Sequence, residues 1–440
     1  MKNTVYSKES VERVVEELRI PRLEGATIGE VVLIARRLEE TTGIPFVRMD
    51  QGVPGLAPCR IGTEAEKAAL DTMAPAIYPP AEGISELKTE ASRFVKAFLD
   101  VDVAPAGCVP VTGAVAGSFG SFIAALQRDP ARDTVLFIDP GFPIQKSQLR
   151  TLGYRWEQFD VHDHRGAEPL REKMEQYMAS GRIAAIIYSN PNNPAWFSLT
   201  EDELRVVGEL ATRHDAIALE DLAYFGMDFR TDCGRPFSPP FVPTVARYTE
   251  NYILMMTSSK IFSYAGQRAG FIAISDALFH RRFDALAERY AGSGLFGPTL
   301  TASILYMITS GVTHSTQFGY AAMLKAATEG EYDFVAETRE YARRARRMKD
   351  IFERHGFHVV YDRDIDRPIG DGFFFTIGYG EMTCGELMST LLLYGISSIA
   401  LSTTGSDQRG IRACSSRMTD ELFELLDARL AAFAKDKKQL

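Results

Sequence analysis

Between about residues 105 and 275, short apolar runs alternate with amphipathic stretches. Cys108–Thr112, Thr134–Ile138, Arg182–Tyr188, Ala216–Leu219 and Tyr252–Met256 are mostly apolar and bounded by turn residues, which predicts buried strands. The intervening segments keep helical spacing. Thr200-Glu201-Asp202-Glu203 is a capping box, followed by Leu204, Val207 and Ala211 on one face. Thr27-Ile28-Gly29-Glu30 repeats that signal ahead of Val31, Ile34, Ala35 and Leu38 and predicts a helix over 28–41. A further helix is expected over 84–98, whereas residues 1–25 are polar and mixed.

Strand–helix alternation of this kind predicts an α/β fold, with a mostly parallel sheet covered by helices. After about residue 300 the pattern changes. Helical stretches over 300–330 and 334–355 give way to strands at Asp371–Ile377 and Gly410–Cys414, and a helix over 419–435 follows. The expected architecture is a large domain over 50–310 and a smaller α+β domain built from 1–49 and 311–440.

Composition narrows the function classes. The 440 residues carry a net charge of −9 without a basic stripe, which disfavours nucleic acid as a partner. Five scattered cysteines without a Cys-x-x-Cys pair suggest a reducing compartment. No signal peptide or membrane-length apolar stretch is visible, so a cytoplasmic protein is expected, and a membrane partner is not. His162 and His164 flank Asp163 in a polar loop, where solvated side chains are expected rather than a metal site.

The chemistry concentrates at strand ends. Tyr252–Met256 leads into Thr257-Ser258-Ser259-Lys260, with Arg268 eight residues beyond the lysine. A lysine just past a buried strand is partly desolvated, which favours the neutral amine that Schiff-base chemistry needs. Thr257, Ser259 and Arg268 could together hold a phosphate. Asn193 and Asp221 also follow strands, so three separate loops bring polar groups to one crevice at the strands' carboxyl ends. That convergence outweighs the alternative of a surface lysine after an edge strand. Gly113-Ala114-Val115-Ala116-Gly117 sits at a strand-to-helix junction, where backbone N–H groups can close on a phosphate. A dinucleotide fingerprint would look similar, with Asp139 in the ribose position, so a nicotinamide dehydrogenase is a rival reading.

Five motifs in order make a family likeness specific: Tyr-Pro-Pro-Ala-Glu-Gly at 78–83, Asn-Pro-Asn-Asn-Pro at 190–194, Asp221 with Tyr224, the Ser-Ser-Lys stretch with Arg268, and Ile-Arg-Ala-Cys-Ser at 411–415. Over residues 27–435 the chain resembles the fold-type I, pyridoxal-phosphate-dependent aminotransferases of the class I/II group. The resemblance implies that Lys260 holds the cofactor as a Schiff base and later moves the substrate's α-proton. Asp221 would keep the pyridine nitrogen protonated. Asn193 and Tyr224 would bond the ring's phenolate oxygen, and Phe142 would stack on the ring. Gly113, Ala114 and Val115, with Thr257, Ser259 and Arg268, would cup the phosphate. Arg412 would clamp the substrate carboxylate, with Asn193 and Val53 beside it. Tyr78 would reach the phosphate in a neighbouring subunit, which implies a homodimer. Two positions depart from the family's habit. Ala-Val replaces a polar side chain in the phosphate loop, and Phe replaces Tyr or Trp at the stacking position.

An amino acid and a 2-oxo acid are the implied substrates, exchanged by ping-pong transfer. A C–S β-lyase would use the same fold. A cofactor-binding regulator would need a DNA-binding segment, for which the residues before Thr27 leave no room. Ala291-Gly292-Ser293-Gly294 has no arginine where dicarboxylate-specific relatives carry one, which disfavours aspartate as donor.

Overall fold

The computed structural model describes residues 3–438. Seven strands form the main sheet: β1 (Cys108–Val111), β2 (Thr134–Asp139), β3 (Arg155–Asp160), β4 (Ile183–Ser189), β5 (Ile217–Asp221), β6 (Tyr252–Thr257) and β7 (Gly270–Ile274). Their spatial order is β1-β7-β6-β5-β4-β2-β3. All pairings from β6 through β3 are parallel, and only β7 runs against its neighbours β1 and β6. The expected α/β architecture with a mostly parallel sheet is therefore present. The central strands β2, β4, β5 and β6 are buried along their whole length, which explains their continuous apolar runs. Edge strand β3 differs, with Arg155, Glu157 and Gln158 exposed. Charges there discourage pairing with another chain.

Side chains alternate between two apolar clusters, one on each face of the sheet. Val135, Phe137, Ile187, Leu219, Ile253 and Met255 belong to one. Leu136, Ile138, Ile186, Ala218, Leu254 and Met256 belong to the other, which runs on into the rest of the molecule.

The helices that matter for the site are α1 (Lys8–Glu17), α2 (Ile28–Thr42), α3 (Arg60–Leu70), α4 (Ser85–Leu99), α5 (Ala114–Gln127) and α6 (Pro143–Leu152). Both predicted capping boxes form, at Thr27 and at Thr200. Helix α1 lies in a stretch that reads as merely polar, because only Val11 and Val14 are buried on it. The expected helix over 300–330 is interrupted. A π-helical turn at Thr299–Leu305 and a short turn at Tyr306–Thr309 end at Ser310 and Gly311, both with positive φ. Helix α7 (His314–Thr328) then starts afresh and packs on α3 and α4.

A second sheet is antiparallel: β8 (His358–Val359), β9 (Phe374–Gly378), β10 (Ile399–Ala400) and β11 (Ile411–Cys414), ordered β10-β11-β9-β8. Arg412 sits mid-strand, opposite Thr376 on one side and Ile399 on the other. Val47–Arg48 pairs in parallel with Ile396–Ser397, which fixes the chain as it enters the site at residues 49–53. Among the described residues no helix is long and apolar enough to cross a membrane.

Candidate active site

Adjacent strands β4 and β5 end at the same level, with Ser189 opposite Asp221, and β6, with Met255 opposite Asp221, runs on to Thr257. Their C-terminal loops open into one cavity of about 380 Å³, within the range of small-molecule sites. Of the residues singled out from sequence, Val53, Ala114, Val115, Phe142, Asn193, Asp221, Tyr224, Thr257, Ser259, Lys260, Arg268 and Arg412 all line it. Gly113 and Tyr78 do not.

One end of the cavity is a cradle of donors. Helix α5 starts there, and the N–H groups of its first residues, Ala114 and Val115, have no partner within the helix. Gly113, the N-cap, has φ +82° and sits so close to Arg268 that a Cβ would collide with the guanidinium. The positive φ favours glycine there. Across the cradle, Thr257 Oγ1 and Ser259 Oγ are 2.8 Å apart and buried. Hydroxyls, helix N–H groups and a guanidinium make an anion site.

The middle of the cavity holds Asp221. Its carboxylate accepts from Gln145 Nε2 at 2.9 Å and from the Ala223 N–H at 3.1 Å. Both donors are neutral, and burial pushes its pKa up to about 6. Gln145 carries no motif, although it stands three residues after Phe142, one turn into α6. Tyr224, buried, and Phe142 complete this wall.

Lys260 follows β6 on a single helical turn, Ser258–Ile261. Its ammonium donates to the carbonyl of Gly52 and lies 5.1 Å from the centre of the Phe373 ring. Desolvation lowers its pKa to about 8, the direction expected from its place in the sequence. Gly52 is itself constrained, since a Cβ there would strike Phe374.

Arg412 is fully buried and stacks on Phe374, its guanidinium carbon 4.3 Å from the ring centre. It donates to Asn193 Oδ1 at 3.2 Å and to the Asp50 carbonyl at 2.7 Å, while its Nε is buried without a partner. A buried cation bonded only to neutral groups is costly, and an incoming carboxylate relieves that cost. Arg412→Ala is therefore expected to raise the KM for an amino acid by about 10–100-fold, from charged bonds worth about 1.5–3 kcal/mol each. Initial rates at varied donor concentration check this.

Other positions fall elsewhere. Tyr78 is 86% exposed and stands outside this chain's own cavity. Asp139 is buried and ion-paired with Lys146, with its carboxyl raised to about 7 by burial. It is fully buried and does not line the cavity, which leaves the dinucleotide reading without its ribose-binding acid. His162 Nδ1 lies 2.8 Å from Asp163 in a short turn.

Comparison with known proteins identifies the family of the fold. The family model for aminotransferases of class I and II matches residues 45–427. The aspartate aminotransferase of Pyrococcus horikoshii is 24% identical over 58% of this chain, and that match spans 61% of the relative's own length. A probable aspartate/prephenate aminotransferase of Thermus aquaticus is 26% identical over 70% of this chain and 76% of its own. Among solved structures, a double mutant of Thermus thermophilus aspartate aminotransferase superposes with a TM-score of 0.72 at 19% identity, covering 95% of this chain and 98% of that one. With the match running from the strand before the Gly52 turn to the last helix, the chain belongs to the class I and II aminotransferases.

Proposed function

We propose that the cavity holds pyridoxal 5′-phosphate and that the protein moves an amino group between an L-amino acid and a 2-oxo acid. The observation that carries this is Asp221, a buried carboxylate bonded only by neutral donors, lining one cavity with a set of anion-binding donors and a desolvated lysine. A protonated ring nitrogen supplies the cation that Asp221 lacks. The donors at Ala114, Val115, Thr257, Ser259 and Arg268 suit a phosphate. When bound, the cofactor acts as an electron sink for the substrate's α-carbon. The chain's own residues do the rest. Arg412 and Asn193 fix the substrate carboxylate, and with it the direction of the α C–H bond. Lys260 accepts the α-proton at Nζ and delivers it again, a role favoured by a pKa lowered to about 8 from the ordinary lysine value. Phe142 and Tyr224 wall the reacting atoms from water.

Reduction with borohydride in the presence of the cofactor should fix a pyridoxyl group on Lys260, read by peptide mapping. Label on another residue, or none, ends the proposal. With an amino acid alone the yellow colour should bleach, and a 2-oxo acid should restore it, as ping-pong transfer requires. Pyruvate and ammonia released from a cysteine thioether without any 2-oxo acid would replace this reading by the β-lyase.

A homodimer is part of the proposal. Leu70, Met73, Ile77 and Tyr78 are exposed, as are Tyr306 and Met307. A bond from His314 Nδ1 to the Ile77 carbonyl, which accepts it at 3.1 Å, ties the two segments together. Such an apolar patch suits an interface, and the family likeness implies that a symmetric dimer would bring each Tyr78 to its partner's cradle. Sedimentation at assay concentration should show a dimer, and an active monomer would refute it. We place the protein in a reducing compartment such as the cytoplasm, on the strength of five unpaired cysteines.

A further inference from the structure

We infer that the preferred amino donor carries an uncharged, apolar side chain, held against Ile28, Val53 and Ile144. The inference rests on the function proposed above and names its substrate class. The charged side chains lining the cavity are Asp221, Lys260, Arg268 and Arg412. All four are already engaged, Asp221 by the ring nitrogen, Lys260 by the α-proton, Arg268 by the phosphate and Arg412 by the α-carboxylate. The wall left for a substrate side chain is made by Ile28, Gly29, Gln51, Val53, Ile144 and Phe374. That wall contains no cation and one neutral amide.

The apolar residues in it are rigidly placed. Ile28 opens α2, whose start is fixed by the Thr27 capping box, with the Thr27 N–H 2.7 Å from Glu30 Oε2. Ile144 lies in the first turn of α6, beside the Gln145 that holds Asp221. Ile144 and Val53 each keep 38% of their surface exposed, unusual for large apolar side chains beside a polar site. Ile28, Gly29 and Ile144 also line an adjoining groove that contains Trp156. Of the cations in that groove, Lys146 is paired with Asp139, whereas Arg22, 3.7 Å from Glu24, and Arg150, over the Trp156 ring, stand at the surface away from the wall residues Val53 and Gln51 that line only the cavity.

A distal carboxylate placed on this wall would lose water and gain no counter-charge from the residues of the wall itself. A branched or aromatic side chain would instead cover the exposed faces of the two isoleucines and the valine. One methylene in an apolar pocket changes specificity by about 10–200-fold. The expected preference for leucine, methionine or phenylalanine over aspartate or glutamate is about 100-fold in kcat/KM.

The test uses the cofactor-loaded protein. Bleaching of the yellow form is timed with each donor, and calorimetry measures binding of unreactive 4-methylpentanoate and succinate. We expect the apolar donors to react faster and 4-methylpentanoate to bind more tightly. Ile144→Lys should shrink or invert both ratios, because it puts a cation on the wall. Faster reaction with aspartate or glutamate, or tighter binding of succinate, would overturn the inference and point to a cation from the partner subunit. An unchanged preference in Ile144→Lys would overturn the role given to that wall. Failure to react with any donor would strike the aminotransferase reading itself, and the calorimetric comparison would still decide the side-chain pocket.

Discussion

Lys260→Ala is expected to lower turnover by about 10⁴-fold, the upper range for loss of a positioned general base. The loss should appear in kcat, with the fold intact by circular dichroism. Removing this side chain deletes one hydrogen bond, to the Gly52 carbonyl, and a desolvated cation. Those two changes oppose each other in stability, so the melting temperature of the cofactor-free protein should not fall. The lowered pKa gives a second readout. Below about pH 8 the Lys260 amine is mostly protonated, and above it the neutral nucleophile dominates. The rate at which cofactor-free protein captures pyridoxal phosphate should therefore rise with pH and level off above about 8. A flat profile, or capture undiminished in the alanine variant, would place the reactive amine elsewhere.

Asp221→Asn should cost about 10²–10³-fold in kcat, the scale of removing one preorganised electrostatic group. The substitution keeps size and shape. Asn can still accept from the Ala223 N–H, and Gln145 can turn its amide so that its oxygen faces the new NH₂ group. The cofactor should therefore still bind. What disappears is the negative charge that holds a proton on the ring nitrogen. In the wild-type protein the carboxyl titrates at about 6 with only neutral donors around it. A neighbouring cation lowers that value. This carboxyl should consequently contribute an acid limb below about pH 6 in the loaded enzyme, and that limb should be missing from the Asn variant. A variant with near wild-type turnover and bound cofactor would refute the role.

The elements that could be read from sequence share a cause. Strands β2, β4, β5 and β6 are buried on both faces, so their apolar runs are unbroken and stand out. Thr27 and Thr200 announce their helices because capping is local chemistry. Edge strand β3 was not legible, because solvent on its outer side lets polar residues in. Strand β7 was hidden behind the Arg268 loop, and nothing local says that it inserts between β1 and β6. The site divides in the same way. Lys260, Asp221 and Arg412 are chemically distinctive and sit at strand ends or mid-strand. Gln145, Gly52, Phe374 and the Asp50 carbonyl act through backbone atoms, neutral amides or ring faces, which almost any sequence offers. Their roles exist only once distant segments meet.

The bond from Arg412 to the Asp50 carbonyl joins residues 362 positions apart. A ribosome adding about 5–20 residues per second needs roughly 20–70 s to travel that distance. Throughout that interval the nascent chain carries residues 49–53 without the Ile396–Ser397 strand that anchors them or the guanidinium that binds them. The main sheet can close by residue 274, so it can be complete while the Asp50 turn still dangles beside it. Assembly of this active site is thus one of the last events in the protein's birth, and a ribosome that stops before residue 412 releases a chain without the guanidinium that holds the Asp50 turn.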